Sequence, residues 1–421
     1  AWPQPVYQLD GPRTVRIAQQ RRDHLMQMAR EFYEFRARKV DVLGTNEEDI
    51  FEVKRRPDGA VTVTVYATSK KGNRQAPFFQ RTFLADETKE ITLYGLRDDD
   101  VFHLSGQASR GPLIRIVGGL GEETVNDESK VSGLARKTVV YDAREEDIEL
   151  NTGTETRIRL KKDPRYNTYN RRAHDYDFNY SRIVPSARYN PDDGILLRLS
   201  PVWYTYGFKK SPYASEQRVM LKYATANSGF EVSYRGDFID VIGKQDLLVD
   251  AVWRNPLYTY NFYGLGNETD NPEDELGPDY NRVRQRYIAV APSIQHRLRG
   301  AARYSFGPTF ESHQIDTIGG RFIDEIAPSL NQEMFRGLEF LGAYFRFRVE
   351  NLNDPLFPTH GLRLSLTTGW KWSLDEKANN FPYFRGQVAI YQQVDGGGRL
   401  VFASRVGGMH LFNNKFEFFQ G

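Results

Sequence analysis

From residue 194 to residue 421 the chain is a series of strand-length segments in which apolar and polar side chains alternate. In the segment 362–367, Leu362, Leu364 and Leu366 alternate with Arg363, Ser365 and Thr367. Successive side chains of a strand point to opposite faces, so this segment can place its leucines against lipid and its polar residues in a wet interior. No apolar run reaches the roughly 20 residues of a membrane helix. The pattern predicts an all-β transmembrane antiparallel barrel.

We place eleven strands in this barrel, at residues 194–207, 216–226, 228–238, 244–254, 257–265, 283–297, 301–313, 338–350, 360–371, 383–394 and 398–411. Glycine, asparagine and aspartate clusters separate the segments, as expected for hairpin connections. Eleven is an odd number, whereas single-chain bacterial barrels are normally even-stranded. We therefore expect residues 194–421 to form an incomplete outer-membrane barrel that other strands complete.

Residues 1–85 are predicted to be a small periplasmic α+β region. Leu25, Met28, Phe32 and Phe35 recur at three- and four-residue steps, which predicts a helix whose apolar face packs against a core. The segment 51–55, the turn 57–59 and the alternating valines of 61–65 then predict a β-hairpin.

In residues 86–160 short apolar pieces are separated by acidic turns, at 98–100, 122–123 and 127–128. Short strands at near-regular spacing with glycine and aspartate at the corners predict a β-roll or solenoid. Residues 161–193 are polar and rich in tyrosine and arginine, and we interpret them as a connector to the barrel. A linker, a periplasmic turn and a segment inside the barrel all remain open for it.

The composition of the 421-residue chain limits the kinds of partner and site that it can have. Lys+Arg 57 against Asp+Glu 55 leaves a charge near zero, which argues against nucleic acid as a partner. The mean hydropathy of -0.61 also fits a soluble all-β protein, but a barrel hides its apolar residues among polar ones. There is no Cys, so disulfides and thiolate metal sites are excluded. No signal peptide is visible at the start, and because an outer-membrane protein must be exported we expect the chain to begin inside a longer polypeptide.

One motif suggests a metal. Residues 118–125 resemble the glycine-rich nonapeptide that binds Ca²⁺ between turns of a β-roll, although Glu123 stands where that motif has aspartate. Carboxylates are suitable ligands for calcium. The candidate calcium ligands are Asp98, Asp99, Asp100, Glu122 and Glu123. The alternative is a solenoid corner without metal.

Catalytic motifs are not legible in the sequence. The serines lack a Gly-x-Ser-x-Gly context, and there is no phosphate loop or dinucleotide fingerprint. The seven His are scattered. We therefore predict no catalytic site in these residues and no cofactor other than the candidate calcium.

Two further segments carry a resemblance to a known family. The segment 261–269 and the segment 354–361 resemble the BamA/TamA-type surface-antigen barrel superfamily, through Phe262, Gly264, Gly266, Asn267, Asp354, Phe357, Pro358, Thr359 and Gly361. The upstream part, at 81–83, 87–91, 93–96 and 117–121, is similar to the region before that barrel in large Bacteroidetes-type proteins. In those proteins a calcineurin-like metallophosphoesterase domain often lies further N-terminal.

The resemblance implies a sixteen-stranded barrel in the outer membrane of a Gram-negative bacterium, of which about 11 strands are present here. Barrels of that family carry an Arg-Gly-aromatic motif in a loop that folds into the interior, and this chain has no such motif at the matching place. No metallophosphoesterase ligand set is present either.

Three functions follow as expectations. The resemblance implies insertion or export of proteins at the outer membrane, with outer-membrane lipid and other outer-membrane or periplasmic proteins as partners. The alternatives are a barrel that anchors a soluble domain, such as a metallophosphoesterase, and a diffusion pore.

Overall fold

A computed structural model of the chain describes residues 3–69, 72–132, 137–142, 148–160, 167–169, 178–191, 193–264, 266, 269–298, 300–374, 380–397, 399–413 and 416–420. The chain divides into two compact units, residues 1–175 and 176–421. The boundaries predicted at residues 85, 160 and 193 remain predictions.

The first unit begins with one long helix and continues in strands. The helix α1 is Gln4–Ala37. The strands are Lys39–Leu43 (β1), Asp49–Arg55 (β2), Val61–Thr68 (β3), Arg74–Phe83 (β4), Glu90–Arg97 (β5), Val101–Ala108 (β6), Leu113–Leu120 (β7), Thr124–Asp127 (β8), Lys130–Val131 (β9), Thr138–Asp142 (β10), Glu149–Thr152 (β11) and Thr156–Leu160 (β12).

From β1 onward the chain passes back and forth between two sheets. One sheet has the order β1-β5-β7-β10-β12 and the other the order β11-β8-β6-β2-β3-β4, with β9 beside β6. All pairs of the first sheet are parallel, and so are the pairs that join β2, β6, β8 and β11. Each coil therefore gives one strand to each sheet, which is the arrangement of a solenoid. The predicted hairpin is confirmed, because β2 and β3 pair antiparallel.

Apolar side chains stack from coil to coil between these two sheets. Val42 is in register with Leu93, Leu93 with Ile116, and Ile116 with Val140, and all four are buried. Each coil buries its apolar residues against its neighbours, so the core runs continuously along the solenoid.

The helix α1 departs from the prediction. Leu25, Met28, Phe32 and Phe35 form its apolar stripe as expected, but they are exposed, Phe32 by 66%. Of the helix's described residues, Gly11 and Ala37 are buried. The prediction that this stripe packs into a core is therefore wrong, because the two sheets fill the core by themselves.

The second unit is built from twelve strands in the described residues. They are Tyr180–Asn190 (β13), Gly194–Thr205 (β14), Ser215–Ala224 (β15), Phe230–Ile242 (β16), Gln245–Arg254 (β17), Thr259–Asn261 (β18), Arg282–Arg297 (β19), Ala302–Asp316 (β20), Leu338–Leu352 (β21), Gly361–Ser373 (β22), Phe381–Gln393 (β23) and Val401–Leu411 (β24). Short helices lie in the connections, at Glu273–Leu276 (α2), Phe322–Ile326 (α3), Ala327–Ser329 (3₁₀), Glu333–Arg336 (α4) and Phe418–Gln420 (3₁₀).

These strands form one antiparallel sheet. Its order is β13-β14-β15-β16-β17-β19-β20-β21-β22-β23-β24, with the short β18 also paired to β19. The predicted all-β antiparallel fold is confirmed as a barrel-like sheet that is not closed in the part of the chain described, where β13 and β24 are its edges. Residues 180–190, which we predicted to be part of a connector, are the strand β13 and pair along their full length with β14.

The sheet has two chemically different faces. On β21, Leu341, Phe345 and other odd-numbered side chains are exposed on the face that we call the outer face. The even-numbered side chains, such as Arg346 and Glu350, lie on the other face, which we call the inner face. On β22 the register places Leu362, Leu364 and Leu366 on the outer face and Arg363, Ser365 and Thr367 on the inner face, as predicted.

The connections of the sheet differ between its two ends. One end, the long-connection end, carries the connections 255–281 and 317–337. The other, the short-connection end, carries 206–214, 298–301 and 353–360. The chain enters the sheet at Tyr180, which pairs with Tyr204 at the short-connection end.

No helix among the described residues is both long enough and apolar enough to cross a membrane.

Candidate functional site

The inner face of the second unit concentrates the charged side chains, because the two-residue period of the strands directs them there. Its basic residues include Arg198, Arg218, Lys222, Arg235, Arg254, Arg297, Arg303, Arg346, Arg348, Arg363, Lys371, Arg385 and Arg405, and its acidic residues include Glu216, Glu231, Asp237, Asp246, Asp250, Glu311 and Glu350. Cations therefore outnumber carboxylates on this face.

Glu231 on β16 is held between two cations from the strands on either side. Lys222 Nζ on β15 lies 2.6 Å from Glu231 Oε1, and Arg254 Nε on β17 lies 2.8 Å from Oε2. The three residues are direct cross-strand neighbours. The Glu231 side chain is only 5% exposed, so it depends on both partners to keep its charge.

Glu350 on β21 makes a second clamp of the same kind. Arg303 Nη2 on β20 lies 3.0 Å from Glu350 Oε2, and Arg363 Nη2 on β22 lies 2.8 Å from Oε1. The carboxylate thus joins three adjacent strands. Because its charge is shared between two guanidinium groups, neither of them is fully neutralised by it.

Glu311 on β20 makes a third clamp, in which the carboxylate is more buried than that of Glu350. Lys371 Nζ on β22 lies 2.6 Å from Glu311 Oε2, and His313 Nε2 lies 3.3 Å from the same oxygen. His313 Nδ1 is 3.0 Å from Gln285 Nε2. These clamps fix the register of the sheet through charge-assisted hydrogen bonds.

An apolar cluster, the end cluster, covers the inner face toward the long-connection end. Its buried residues are Phe262, Val283, Ile315, Ile323, Met334, Leu338, Phe340 and Phe381. The segment after β24 joins it, because Phe418 lies 4.2 Å from Phe262 and Phe419 lies 4.5 Å from His313, ring centroid to ring centroid. Asn331 Nδ2 donates to Glu417 Oε1 at 2.7 Å and holds the segment in place.

The first of the two family-like segments lies in this cluster. Phe262 is buried among the aromatic rings. Gly264 and Gly266 have φ of +117° and +93°, which glycine tolerates best, and a Cβ on Gly264 would press on Thr269. Asn267 lies outside the described residues. The segment therefore supplies a packing anchor and a sharp turn.

The second family-like segment is the connection between β21 and β22. Asp354 Oδ1 accepts hydrogen bonds from the N–H groups of Leu356 and Phe357, both at 2.7 Å, and these lower the pKa of Asp354. Asn353 Oδ1 accepts from Thr359 and His360, both at 3.0 Å.

The tip of this turn is solvent-exposed, and Phe357 is 80% exposed. Pro358 and Thr359 lie behind the tip and are partly buried. The residues of the motif build a turn and bring together no catalytic group within the part of the chain that the structure describes.

The five candidate calcium ligands are not gathered into one site. Asp98, Asp99 and Glu122 are exposed, whereas Asp100 and Glu123 are buried on the inner side of the same corner. Asp99 Oδ1 accepts from the Glu122 N–H at 2.9 Å, which ties two coils together. Among the described residues, no group of three or more His, Cys, Asp or Glu has the arrangement of a metal site.

A repeat that the sequence reasoning missed explains the two buried acids. In three coils a glycine is followed five residues later by a buried acid: Gly44 and Asp49, Gly95 and Asp100, Gly118 and Glu123. A Cβ on Gly44 would lie 2.7 Å from Asp49 Oδ2, and a Cβ on Gly95 would overlap the Asp100 carboxylate. The recurring spacing of five residues between a glycine and an acid could have predicted this corner of the solenoid.

The acids of this corner are coupled along the solenoid axis. The Asp49 N–H donates to Asp100 Oδ1 at 2.9 Å, and the Thr45 N–H donates to Asp49 Oδ2. Burial raises the pKa of Asp100 to about 8, and the nearby charges of Asp49, Asp98 and Asp99 act in the same direction. Asp100 is therefore predominantly protonated at neutral pH and acts as a structural group.

Arg55 is a second buried charge that the pattern of its hairpin did not indicate. Its guanidinium donates to the carbonyl oxygens of Pro112, at 3.3 Å, and Lys137, at 2.9 Å, and to Thr138 Oγ1 at 3.1 Å. Burial lowers the pKa of Arg55 to about 10, opposed by the charge of Asp127. The side chain joins several coils and is part of the solenoid's internal bonding.

The comparisons with known proteins find a likeness among solved structures. No protein-family model matches the chain, and no curated protein matches it. Among solved structures the chain is similar to BamA from Haemophilus ducreyi lacking POTRA domains 1-3, with a TM-score of 0.39 and 12% sequence identity over 58% of this chain. The match covers 44% of that solved chain, so less than half of its length is represented.

Proposed function

We propose that the strands of the second unit span an outer membrane as the wall of a barrel. The observation that carries this proposal is the division of the sheet into an apolar outer face and a charged inner face. In lipid every backbone N–H and C=O must be paired, and a sheet meets that condition when its edge strands are also paired, as they are in a closed barrel. The long strands of 10 to 16 residues, β14–β17 and β19–β24, are long enough to cross a bilayer when tilted.

The aromatic residues of the outer face support this placement. Trp203, Trp253, Trp370 and Trp372 are all exposed there, by 41% to 45%. Tryptophan is favoured at the boundary between lipid and water, because one end of its ring system is apolar and the other carries a hydrogen-bond donor. On a soluble protein, exposed tryptophans would have no boundary between lipid and water to occupy.

The finer role that we propose is insertion or export of proteins at the outer membrane. It rests on the resemblance of the segments 261–269 and 354–361 to the BamA/TamA-type superfamily. In this role an open strand at the seam of the complete barrel would offer unpaired backbone groups to the strand of a client protein. Outer-membrane lipid and client proteins are then the partners.

The solenoid of the first unit favours an alternative role as an anchored domain. It has its own core and no group of residues suited to hold a metal among those described. In this alternative the barrel holds the solenoid, and any further soluble domain, at the periplasmic side of the membrane. A diffusion pore is the third role, and the end cluster, which covers part of the inner face, argues against a wide one.

Single cysteines on neighbouring residues test the membrane placement. Leu364→Cys places a thiol on the outer face of β22, and Arg363→Cys places one on the inner face. In proteoliposomes made with the full protein, a water-soluble maleimide should label position 363, and a lipid-dissolved quencher should act on a fluorophore at position 364. Equal labelling of both positions from water would disprove the assignment.

A folding assay separates the three roles. Liposomes that contain the protein should accelerate the folding of an added unfolded outer-membrane protein relative to liposomes with an equal amount of an unrelated barrel. Acceleration supports the insertion role. Ionic conductance without acceleration indicates a pore, and the absence of both indicates an anchor.

A further inference from the structure

The inner face carries a group of four arginines that the nearby carboxylates neutralise only in part: Arg235 on β16, Arg303 on β20, and Arg346 and Arg348 on β21. Arg303 and Arg348 are direct cross-strand neighbours, and Arg346 lies two residues from Arg348 on the same face. Like charges placed directly opposite each other destabilise a sheet. We propose that these arginines form a binding site for a phosphate group.

Arg235 lies on the same inner face as the other three arginines, on β16. Its charge acts on Arg348, together with those of Arg346, Arg303 and Asp250. The paired strands β20 and β21 therefore supply the centre of the site, and Arg235 adds positive charge on the same face.

The carboxylates near this group leave it with excess positive charge. Asp250 Oδ1 lies 3.9 Å from Arg235 Nε, which is the far limit of an ion pair. Glu350 is shared between Arg303 and Arg363. The buried Nε of Arg303 has no hydrogen-bond partner among the described residues.

Arg346 and Arg348 are even less neutralised. Arg346 Nε donates to the neutral Thr367 Oγ1 at 3.3 Å. The guanidinium of Arg348 makes no hydrogen bond and no ion pair within the described part of the chain, and the charge of Asp250 acts on it without such a contact. Two of the four charges therefore have no carboxylate partner among the residues described.

Phosphate fits this arrangement in charge and in shape. The planar guanidinium presents parallel N–H donors that match two oxygens of a phosphate, and an oxyanion with several oxygens can accept from more than one arginine at once. The ligand can be a free phosphate-bearing anion or the headgroup of a phospholipid. The site faces the interior of the sheet, so a free anion is expected. This inference goes beyond the insertion role and does not depend on it.

Titration of the full protein in neutral detergent with sodium phosphate tests the proposal. Sodium chloride at matched ionic strength is the reference, and binding is measured by calorimetry and by the melting temperature. The wild-type protein should bind phosphate saturably. Arg348→Gln should weaken phosphate binding at least tenfold. Arg348→Lys should weaken binding less, because lysine keeps the positive charge but lacks the parallel N–H donors of the guanidinium. Arg405→Gln, an exposed inner-face arginine on β24, is the matched control and should bind as the wild type does.

The melting temperature without phosphate shows whether the variant has a folding defect. Without phosphate, Arg348→Gln should melt at the same temperature as the wild type or higher, because repulsion is relieved. Micelles doped with phosphatidylglycerol form the lipid arm: a melting shift that appears only there, and that Arg348→Gln abolishes, assigns the site to a headgroup phosphate. Equal effects of phosphate and chloride, or an equal loss in Arg348→Gln and Arg405→Gln, would overturn the proposal.

Discussion

The same kind of side chain has different roles in the two units, and its surroundings decide which. In the sheet of the second unit, Glu231 is buried with Lys222 and Arg254 and keeps its charge as a clamp. In the solenoid, Asp100 is buried beside Asp49, and its proton is retained. Burial penalises the charged form of an acid unless a cation or several donors compensate for it.

The raised pKa of Asp100 gives a pH dependence with a defined sign. The folded state holds the proton up to about pH 8, whereas the ordinary pKa of an aspartate is 3.8. The stabilising contribution is therefore complete below about pH 4 and is lost as the pH rises through 8. In the wild type, the free energy of opening the solenoid should fall from pH 5 to pH 9. In Asp100→Asn that fall should be smaller by on the order of 1–3 kcal/mol, because each pKa unit corresponds to about 1.4 kcal/mol.

Native-state hydrogen exchange measures this prediction on the intact protein. The amides of Leu104 and Ile116 lie in the solenoid core and report its opening. Glu128→Gln, an exposed acid in the same unit, serves as the control and should leave the pH dependence unchanged. An identical pH dependence in Asp100→Asn and the wild type would show that Asp100 is ionised in the folded state.

At the level of elements, the two-residue alternation predicted the strands well. The three- and four-residue spacing predicted the helix α1 but not what surrounds it. Alternation located the eleven predicted strands, although the one predicted at 257–265 is only Thr259–Asn261. The alternation did not reveal β13. Pro185 and several arginines made this segment look like a connector, although Ile183 and Tyr189 lie on one face of the strand. The apolar stripe of α1 predicts a helix correctly, but it does not determine which part of the protein packs against that stripe.

The contacts of the inner-face site could not be predicted from local patterns. Arg303 and Arg348 come together only because the register pairs β20 with β21 at that point. Register depends on the whole set of cross-strand contacts and turns, and a shift of one residue would move every charged side chain to the outer face. The alternation predicts which residues share a face, but not which of them are neighbours.

The turn between β21 and β22 sets the register of those two strands, and Gly361 is its most constrained residue. Its φ is +128°, and a Cβ would overlap the carbonyl oxygen of Asn351 on the paired strand. Gly361→Ala should therefore destabilise the sheet by about 2–4 kcal/mol, through combined strain and displacement of the turn. The measurement is urea unfolding in detergent micelles, followed by tryptophan fluorescence.

Gly408→Ala is the matched control for this substitution. Gly408 lies in β24 of the same sheet, its φ is not in the left-handed region, and a Cβ added there would have no described atom within 4 Å. It should change the stability by less than about 0.5 kcal/mol. If both variants unfold at the same urea concentration as the wild type, the constraint at Gly361 is not important for stability.

For the whole molecule, the unequal ends of the sheet indicate an orientation in the membrane. Outer-membrane barrels have short periplasmic turns and longer extracellular loops. The connections 255–281 and 317–337 lie at one end, and the chain enters the sheet from the first unit at the other. If the proposed membrane placement holds, the long-connection end is extracellular, and Tyr180, where the chain enters the sheet, is at the periplasmic end.

Surface labelling of intact cells tests this orientation with two exposed positions. Asp274→Cys lies in α2 at the long-connection end, and Leu356→Cys lies at the tip of the turn at the short-connection end. Because the chain has no Cys of its own, each variant carries a single thiol. A membrane-impermeant maleimide should label position 274 on intact cells and position 356 only after the outer membrane is permeabilised, since the reagent must reach the periplasm. The opposite result would invert the orientation of the sheet, and labelling of both positions on intact cells would argue against a membrane-spanning sheet.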